Sequence, residues 1–345
     1  MECGILIPFM PFSTLIGNDR IKKLLKRSVA EGRIGQSLLM AGPRGVGKHS
    51  FAIALAQALN CEQVKLGEPC GDCLPCRKIA RGEHADVRTI LRESQDSSVK
   101  KESKSQFIKI EQTRALAEQA QFRPYEGRRR VFIIDEAEWL RHEAANSLLK
   151  TLEEPPDTSL LILITAKPFS LLDTIRSRCL LLSFAPLNAA EIEQHLQTMK
   201  TSSDEARLRA RLAGGSIGRA IELNLAEYRE MRNLLLEIVE TLAVSRDSIR
   251  LLSAAEYLGK KVDKDGFERH LDAFVVLLDD LFHLKLCHAK DSLVNEDIAE
   301  RLERIAGVLA VEQITDWTER IEQVFLALPR NVNRQLAMEA LLITA

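Results

Sequence analysis

An α/β fold on a parallel five-stranded sheet is predicted by three features in the first half of this 345-residue chain. Five short apolar runs of strand length recur, at Ser37 to Ala41, Val87 to Leu91, Val131 to Asp135, Leu160 to Thr165 and Leu180 to Phe184. Helical spacing lies between them, as in Phe51, Ala54, Leu55, Ala58 and Leu59, and again in Ala145, Leu148, Leu149 and Leu152. A glycine-rich loop joins the first run to the first of these helices. Strands alternating with helices make one sheet domain.

Composition places the chain among ordinary globular proteins: 46% hydrophobic, 28% charged, with 17 Gly and 11 Pro. Its 48 Lys plus Arg against 49 Asp plus Glu leave a net charge of -1, so nucleic-acid contact would depend on local patches or on an assembly. No apolar stretch approaches the roughly 18 residues of a membrane span. Gly4 to Phe12 is apolar but broken by Pro8 and Pro11 and lacks a basic lead, so it is not read as a secretion signal. Four of the seven cysteines crowd between Cys61 and Cys76, unlike a stapled secreted scaffold, and a cytoplasmic location is expected.

The first strand opens into Gly42-Pro-Arg-Gly45-Val-Gly47-Lys48-His49-Ser50, a phosphate-loop pattern in its proper strand-to-helix context. Its glycines allow backbone N–H groups to surround a phosphate, and Lys48 reaches the outer phosphates, so ATP with Mg²⁺ is the ligand class it suggests. The pattern wants Ser or Thr where His49 stands, and imidazole is a poor ligand for magnesium. Ser50 is rotated by about 100° along the helix and is no obvious substitute. Weak or absent hydrolysis is therefore expected, partly restored by His49→Thr; the bland reading is a loop kept for its shape.

Cys61, Cys70, Cys73 and Cys76 follow in a C-x8-C-x2-C-x2-C spacing that fits a closed tetrahedral zinc site, hence a structural Zn²⁺. A disulfide pair or an iron–sulfur cluster fits the compartment and context less well. Beyond the second strand, the polar Glu93 to Ser105 stretch reads as a mobile surface loop, and Arg128 to Arg130 as a basic turn, either solvated or touching DNA phosphates. The third strand delivers Asp135 and Glu136, a magnesium carboxylate and a water-activating carboxylate in phosphoryl-transfer sites. The fourth ends at Thr165, positioned as a γ-phosphate sensor or as an ordinary strand-end hydroxyl. After Pro186 the periodic segments are all helical, broken at Gly214-Gly215 and at Lys260 to Gly266. Phe267, Leu271, Phe274, Leu278 and Leu281 make one apolar stripe, read as domain core or intersubunit contact.

The phosphate loop with its cysteine module, Asp135-Glu-Ala-Glu138, Asn146-Ser-Leu-Leu-Lys-Thr-Leu-Glu-Glu-Pro-Pro156 and Ile175-Arg-Ser-Arg-Cys179 together resemble the AAA+ subunits of bacterial DNA polymerase III clamp loaders. Gly214-Gly-Ser-Ile-Gly-Arg219 looks like the second-sensor helix of their lid, and Asn331 to Glu339 like the end of their collar. The family resemblance implies an AAA+ sheet domain over 1–185 with the cysteine module at 61–76, a helical lid at 186–245 and a helical collar at 246–345. It further implies a place beside gamma/tau and delta subunits in a hetero-pentameric ring that opens a sliding clamp onto primed DNA. In that ring Arg178 would be an arginine finger acting on a neighbour's nucleotide, with Arg176 a decoy, and Arg219 would face the chain's own. The missing hydroxyl and the Asp-Glu-Ala-Glu string point to the delta-prime branch. The alternative is a hydrolysing gamma/tau-like or freestanding AAA+ ATPase acting on DNA, in which Lys48, Asp135 and Glu136 turn ATP over.

Overall fold

The computed structural model describes residues 11–92, 107–245, 247–287, 293–328 and 332–343. The Glu93 to Ser105 stretch and Asn331 lie outside them. Two compact units divide the chain, Met1–Ile221 and Glu222–Ala345.

The first unit is built around five parallel strands: β1 (Ser37–Ala41), β2 (Val87–Ile90), β3 (Arg130–Ile134), β4 (Ser159–Thr165) and β5 (Leu180–Ser183), in the order β2-β3-β4-β1-β5. Each lies within a residue of its apolar run. Because successive side chains point to opposite faces, the strands feed two separate cores. Leu38, Met40, Val131, Ile133, Leu160, Ile162 and Ile164 pack with helices α1 (Asp19–Ala30) and α2 (Lys48–Asn60). Leu39, Phe132, Ile134, Leu161 and Leu163 pack on the other face with α4 (Ile110–Ala120), α5 (His142–Glu153) and the single turn α6 (Asp173–Arg176); the short α3 (Leu74–Ala80) belongs to the cysteine module. Helix α2 is buried nearly all round, beyond the stripe its spacing suggests, because Ala52, Ile53, Ala56 and Gln57 are covered too. Gln57 does so as a polar residue by donating from Nε2 to the carbonyl of Cys76 at 3.0 Å.

The basic turn before β3 is held from inside. Asp86 accepts from the backbone N–H groups of Tyr125, Glu126 and Gly127, each at 2.8 Å, and Asn60 Oδ1 accepts from those of Arg128 and Arg129. Two buried polar side chains thus satisfy five loop donors that would otherwise be costly to dehydrate.

Helices α7 (Ala189–Thr198), α8 (Ser203–Leu212) and α9 (Ile217–Glu222) follow β5 and share a small core of Leu187, Ile192, Leu196, Ala206, Ala210, Ala213 and Ala220. Asn188 starts α7 with a capping box, its side chain accepting from the Ala190 N–H while Glu191 accepts from its own. The boundary between the compact units falls inside the segment expected as a lid: α10 (Leu225–Glu240) belongs to the second unit.

In the second unit α12 (Lys264–Cys287) contacts α10, α13 (Ala299–Val308) and α14 (Val311–Ala327), while α11 (Ser248–Glu256) packs on α15 (Arg334–Ile343). The Phe267, Leu271, Phe274, Leu278 and Leu281 stripe is buried along α12 and forms part of the core of this unit. Asp280, also buried, accepts from the N–H groups of Val294 and Asn295 and from the Asn295 amide, whose oxygen accepts in turn from Tyr228 and Arg232. Desolvation pushes the Asp280 pKa up, against the pull of these donors. The expected break at Lys260 to Gly266 is narrower in the fold, since a π-helical turn runs to Lys261 and α12 begins at Lys264.

Candidate functional site

The phosphate loop starts where β1 and β4 end in register at Ala41 and Thr165, with the Gly42 N–H donating to the Thr165 carbonyl. Gly42 has φ +154°, and a Cβ there would stand 2.4 Å from the Phe184 carbonyl oxygen, so only glycine fits. Lys48, 7% exposed, opens α2 and turns back to donate to the carbonyls of Gly42 and Pro43, both at 2.6 Å. Burial pushes its pKa down, with Asp135 and Glu138 pulling it back up.

His49 Nδ1 lies 3.1 Å from Asp135 Oδ2. Desolvation raises the Asp135 pKa, but His49, the Glu136 N–H and Lys48 outweigh it and hold the carboxyl below its ordinary value. Glu136 has a left-handed backbone, φ +50°, and its carboxylate is clamped between Arg44 of the loop, at 3.0 Å, and Arg92 after β2, at 2.5 Å. Arg92 in turn stacks over Trp139. Thr165 Oγ1 donates to Glu138 at 2.8 Å and accepts from the Lys167 N–H. The acids and the hydroxyl expected to meet a nucleotide are thus gathered in one place, each facing a group of this chain. Magnesium needs an oxygen donor at position 49 and an uncommitted carboxylate at 135. An imidazole facing that carboxylate supplies neither, and the residues do not fit the ion. Ser50 is half-buried one position further along α2.

The segment leading into α9 lies on the loop. Gly218 N–H donates to the Gly45 carbonyl at 3.0 Å, and Ser216 Oγ sits 2.0 Å from where a Cβ on Gly45 would be. Gly45 has φ +72° and Gly47 φ +94°, so the close approach adds to a backbone already demanding glycine. Arg219, exposed on α9, donates its backbone N–H to Ser216 Oγ.

The sulfurs of Cys61, Cys70, Cys73 and Cys76 all lie within 4.8 Å of one another, those of Cys61 and Cys73 at 3.9 Å. Four thiolates about 2.3 Å from one zinc ion stand about 3.8 Å apart, so this spacing fits a tetrahedral metal site. Backbone N–H groups of Gln63 and Cys70 point at the Cys61 sulfur and that of Cys73 at Cys70. Burial raises the pKa of Cys70, but the N–H groups of Cys73 and Asp72 bring it down to about 7, whereas burial drives Cys61 and Cys76 up.

Arg178 lies apart, two residues before β5. Its Nη2 is 2.6 Å from Glu153 Oε1 at the end of α5, and its Nη1 donates to the Thr174 carbonyl at 2.9 Å and to Ser177 Oγ. Arg176 instead pairs with Asp173 and stacks on the exposed ring of Phe169. Arg44, Glu138, Ser216 and Glu153 lie inside the motif strings but were given no role there, and Arg92 lies outside every motif, so none was singled out as a site neighbour.

Sequence models of the DNA polymerase III delta subunit match residues 17–188, and of its C-terminal part residues 230–345. The chain is 30% identical over 325 residues to Bacillus subtilis DNA polymerase III subunit delta', covering 94% of each protein. It is 36% identical over 218 residues to Escherichia coli DNA polymerase III subunit tau, spanning 61% of this chain but 32% of that one. A solved Thermotoga maritima DNA polymerase III gamma subunit-related protein aligns with 93% of this chain and 97% of its own, at 16% identity and a TM-score of 0.35. At 30% identity to the Bacillus subtilis delta' subunit with 94% of each chain covered, this chain belongs to the DNA polymerase III delta' subunit family.

Proposed function

We propose that this chain is a clamp-loader subunit that assists ATP-driven loading of a sliding clamp onto primed DNA, acting on a neighbour's nucleotide while its own phosphate loop stays silent. One observation carries the second half of this reading: His49 faces Asp135, and Glu136 is clamped by Arg44 and Arg92, so both carboxylates expected to hold a metal and activate water are engaged by this chain's own side chains. Family membership along the whole chain supports the first half and suggests gamma/tau and delta subunits as partners. Arg178 is the residue assigned to the neighbour. A guanidinium brought to a developing γ-phosphate charge is worth about 10³ to 10⁵ in rate in phosphoryl-transfer systems. The test compares ATP turnover by the isolated chain and by the complex reconstituted with its partner subunits. This reading expects turnover from the complex alone; steady hydrolysis by the chain alone would support a freestanding ATPase.

The four cysteines would hold one structural Zn²⁺, whose charge lets the buried Cys61 and Cys76 ionise against the cost of burial. The support is the compact four-sulfur arrangement and its N–H donors, and no open position for catalysis is left among them.

A further inference from the structure

Glu153 occupies a poor place for a carboxylate. It is the last residue of α5, followed by Glu154 at the C-cap, where the unpaired carbonyls of a helix end favour cations. Helix stability therefore gives no reason for it. Its contact does: Oε1 stands 2.6 Å from Nη2 of Arg178, while Nη1 of the same guanidinium is bound to Thr174 and Ser177. The two elements below this pair are fixed against each other, because Leu148 and Leu152 of α5 share a buried core with Ile175 of α6. The ion pair spans the rim of that core, with the Arg178 side chain 33% exposed and that of Glu153 49% exposed, so it can open without disturbing the packing beneath.

We infer that Glu153 is a positioning residue that parks Arg178: it neutralises the guanidinium and holds it against α6, so the charge reaches a neighbouring subunit's phosphates only when the pair opens. This rests on the reading of Arg178 as a trans-acting residue. An exposed ion pair is worth little in stability, but an energy of that size suffices to bias a two-state guanidinium by about two- to fivefold. Docking of clamp and primed DNA would then act in part by opening this ion pair on the rim, above packing that stays in place, and releasing the arginine.

The experiment uses the reconstituted complex containing wild-type chain, Glu153→Gln, Arg178→Ala or both changes, each checked for normal subunit stoichiometry. ATP turnover is measured with and without clamp and primed DNA, as kcat and KM. Glu153→Gln should raise unstimulated kcat by about two- to fivefold with KM unchanged, and so lower the ratio of stimulated to unstimulated turnover. The double variant should behave as Arg178→Ala alone. An unstimulated rate at or below wild type in Glu153→Gln, with Arg178→Ala still impaired, overturns the parking role. Undiminished stimulated turnover in Arg178→Ala overturns the trans-acting reading on which it rests.

Discussion

An imidazole at position 49 differs from a hydroxyl in what it offers a metal and in what it does to Asp135. A hydroxyl leaves the carboxylate free for a cation, whereas His49 brings a ring nitrogen to 3.1 Å of it. Asp135 stays ionised all the same, because His49, the Glu136 N–H and Lys48 outweigh its burial. The isolated chain should accordingly show no ATP hydrolysis above background. On motif grounds alone, His49→Thr is expected to restore some of it. With Arg44 and Arg92 still holding Glu136, the single change should leave turnover well under about 1 per second, the low end of ordinary enzymes. A steady-state phosphate-release assay decides this: turnover near that value from the unmodified chain would remove the basis for a silent site, and from His49→Thr it would mean that the arginine clamp on Glu136 adds nothing to the silencing. His49 was visible in the sequence as a broken motif. The arginine clamp was not, because the phosphate-loop pattern leaves the position of Arg44 unspecified and Arg92 lies 44 residues from Glu136, joined to it only when β2 pairs with β3.

At the scale of elements, the cysteine module and the turn before β3 are the features with the sharpest consequences. Metal analysis should find one zinc per chain, falling well below that in Cys73→Ser; zinc content at or near zero in the unmodified chain would exclude the four-ligand site. The module was legible because metal ligands must cluster and a local spacing records that. The turn was not, since Asp86 lies about 40 residues from the donors it serves. Burial raises the Asp86 pKa, but the N–H groups of Tyr125, Glu126 and Gly127 and the charge of Arg130 bring it below the ordinary value. Its contribution to stability is therefore fully present above the unfolded aspartate pKa near 3.9 and is lost as pH falls through the lower folded value. Asp86→Asn should cost about 1 to 3 kcal/mol near neutral pH, since one amide oxygen cannot serve three donors, and should flatten the acid limb of stability. Urea unfolding across pH checks both; an unchanged acid limb would mean that Asp86 is not the group responsible.

Taken as a whole molecule, the chain was most readable where burial is symmetrical. The inner strands β1, β3 and β4 are buried on both faces, so their runs mark them to within a residue, while the edge strands β2 and β5 are shorter and partly exposed, and the α12 stripe marked part of the core of the second unit. The boundary near residue 222 was not readable, because helical periodicity continues unchanged from α9 into α10 and records no change of unit. Among the described residues no helix is long and apolar enough to cross a membrane. The first unit thus brings together a phosphate loop compensated by its own side chains and, at a separate edge, an arginine held on the rim of a core. On the function proposed above, their combination suits a subunit that serves another's chemistry. The measurement that tests this most directly is ATP turnover by the reconstituted complex carrying Arg178→Ala, with clamp and primed DNA present. Assembly should survive with normal stoichiometry while stimulated turnover falls by about tenfold or more; a complex of normal composition that hydrolyses ATP and loads clamps at the wild-type rate would contradict it.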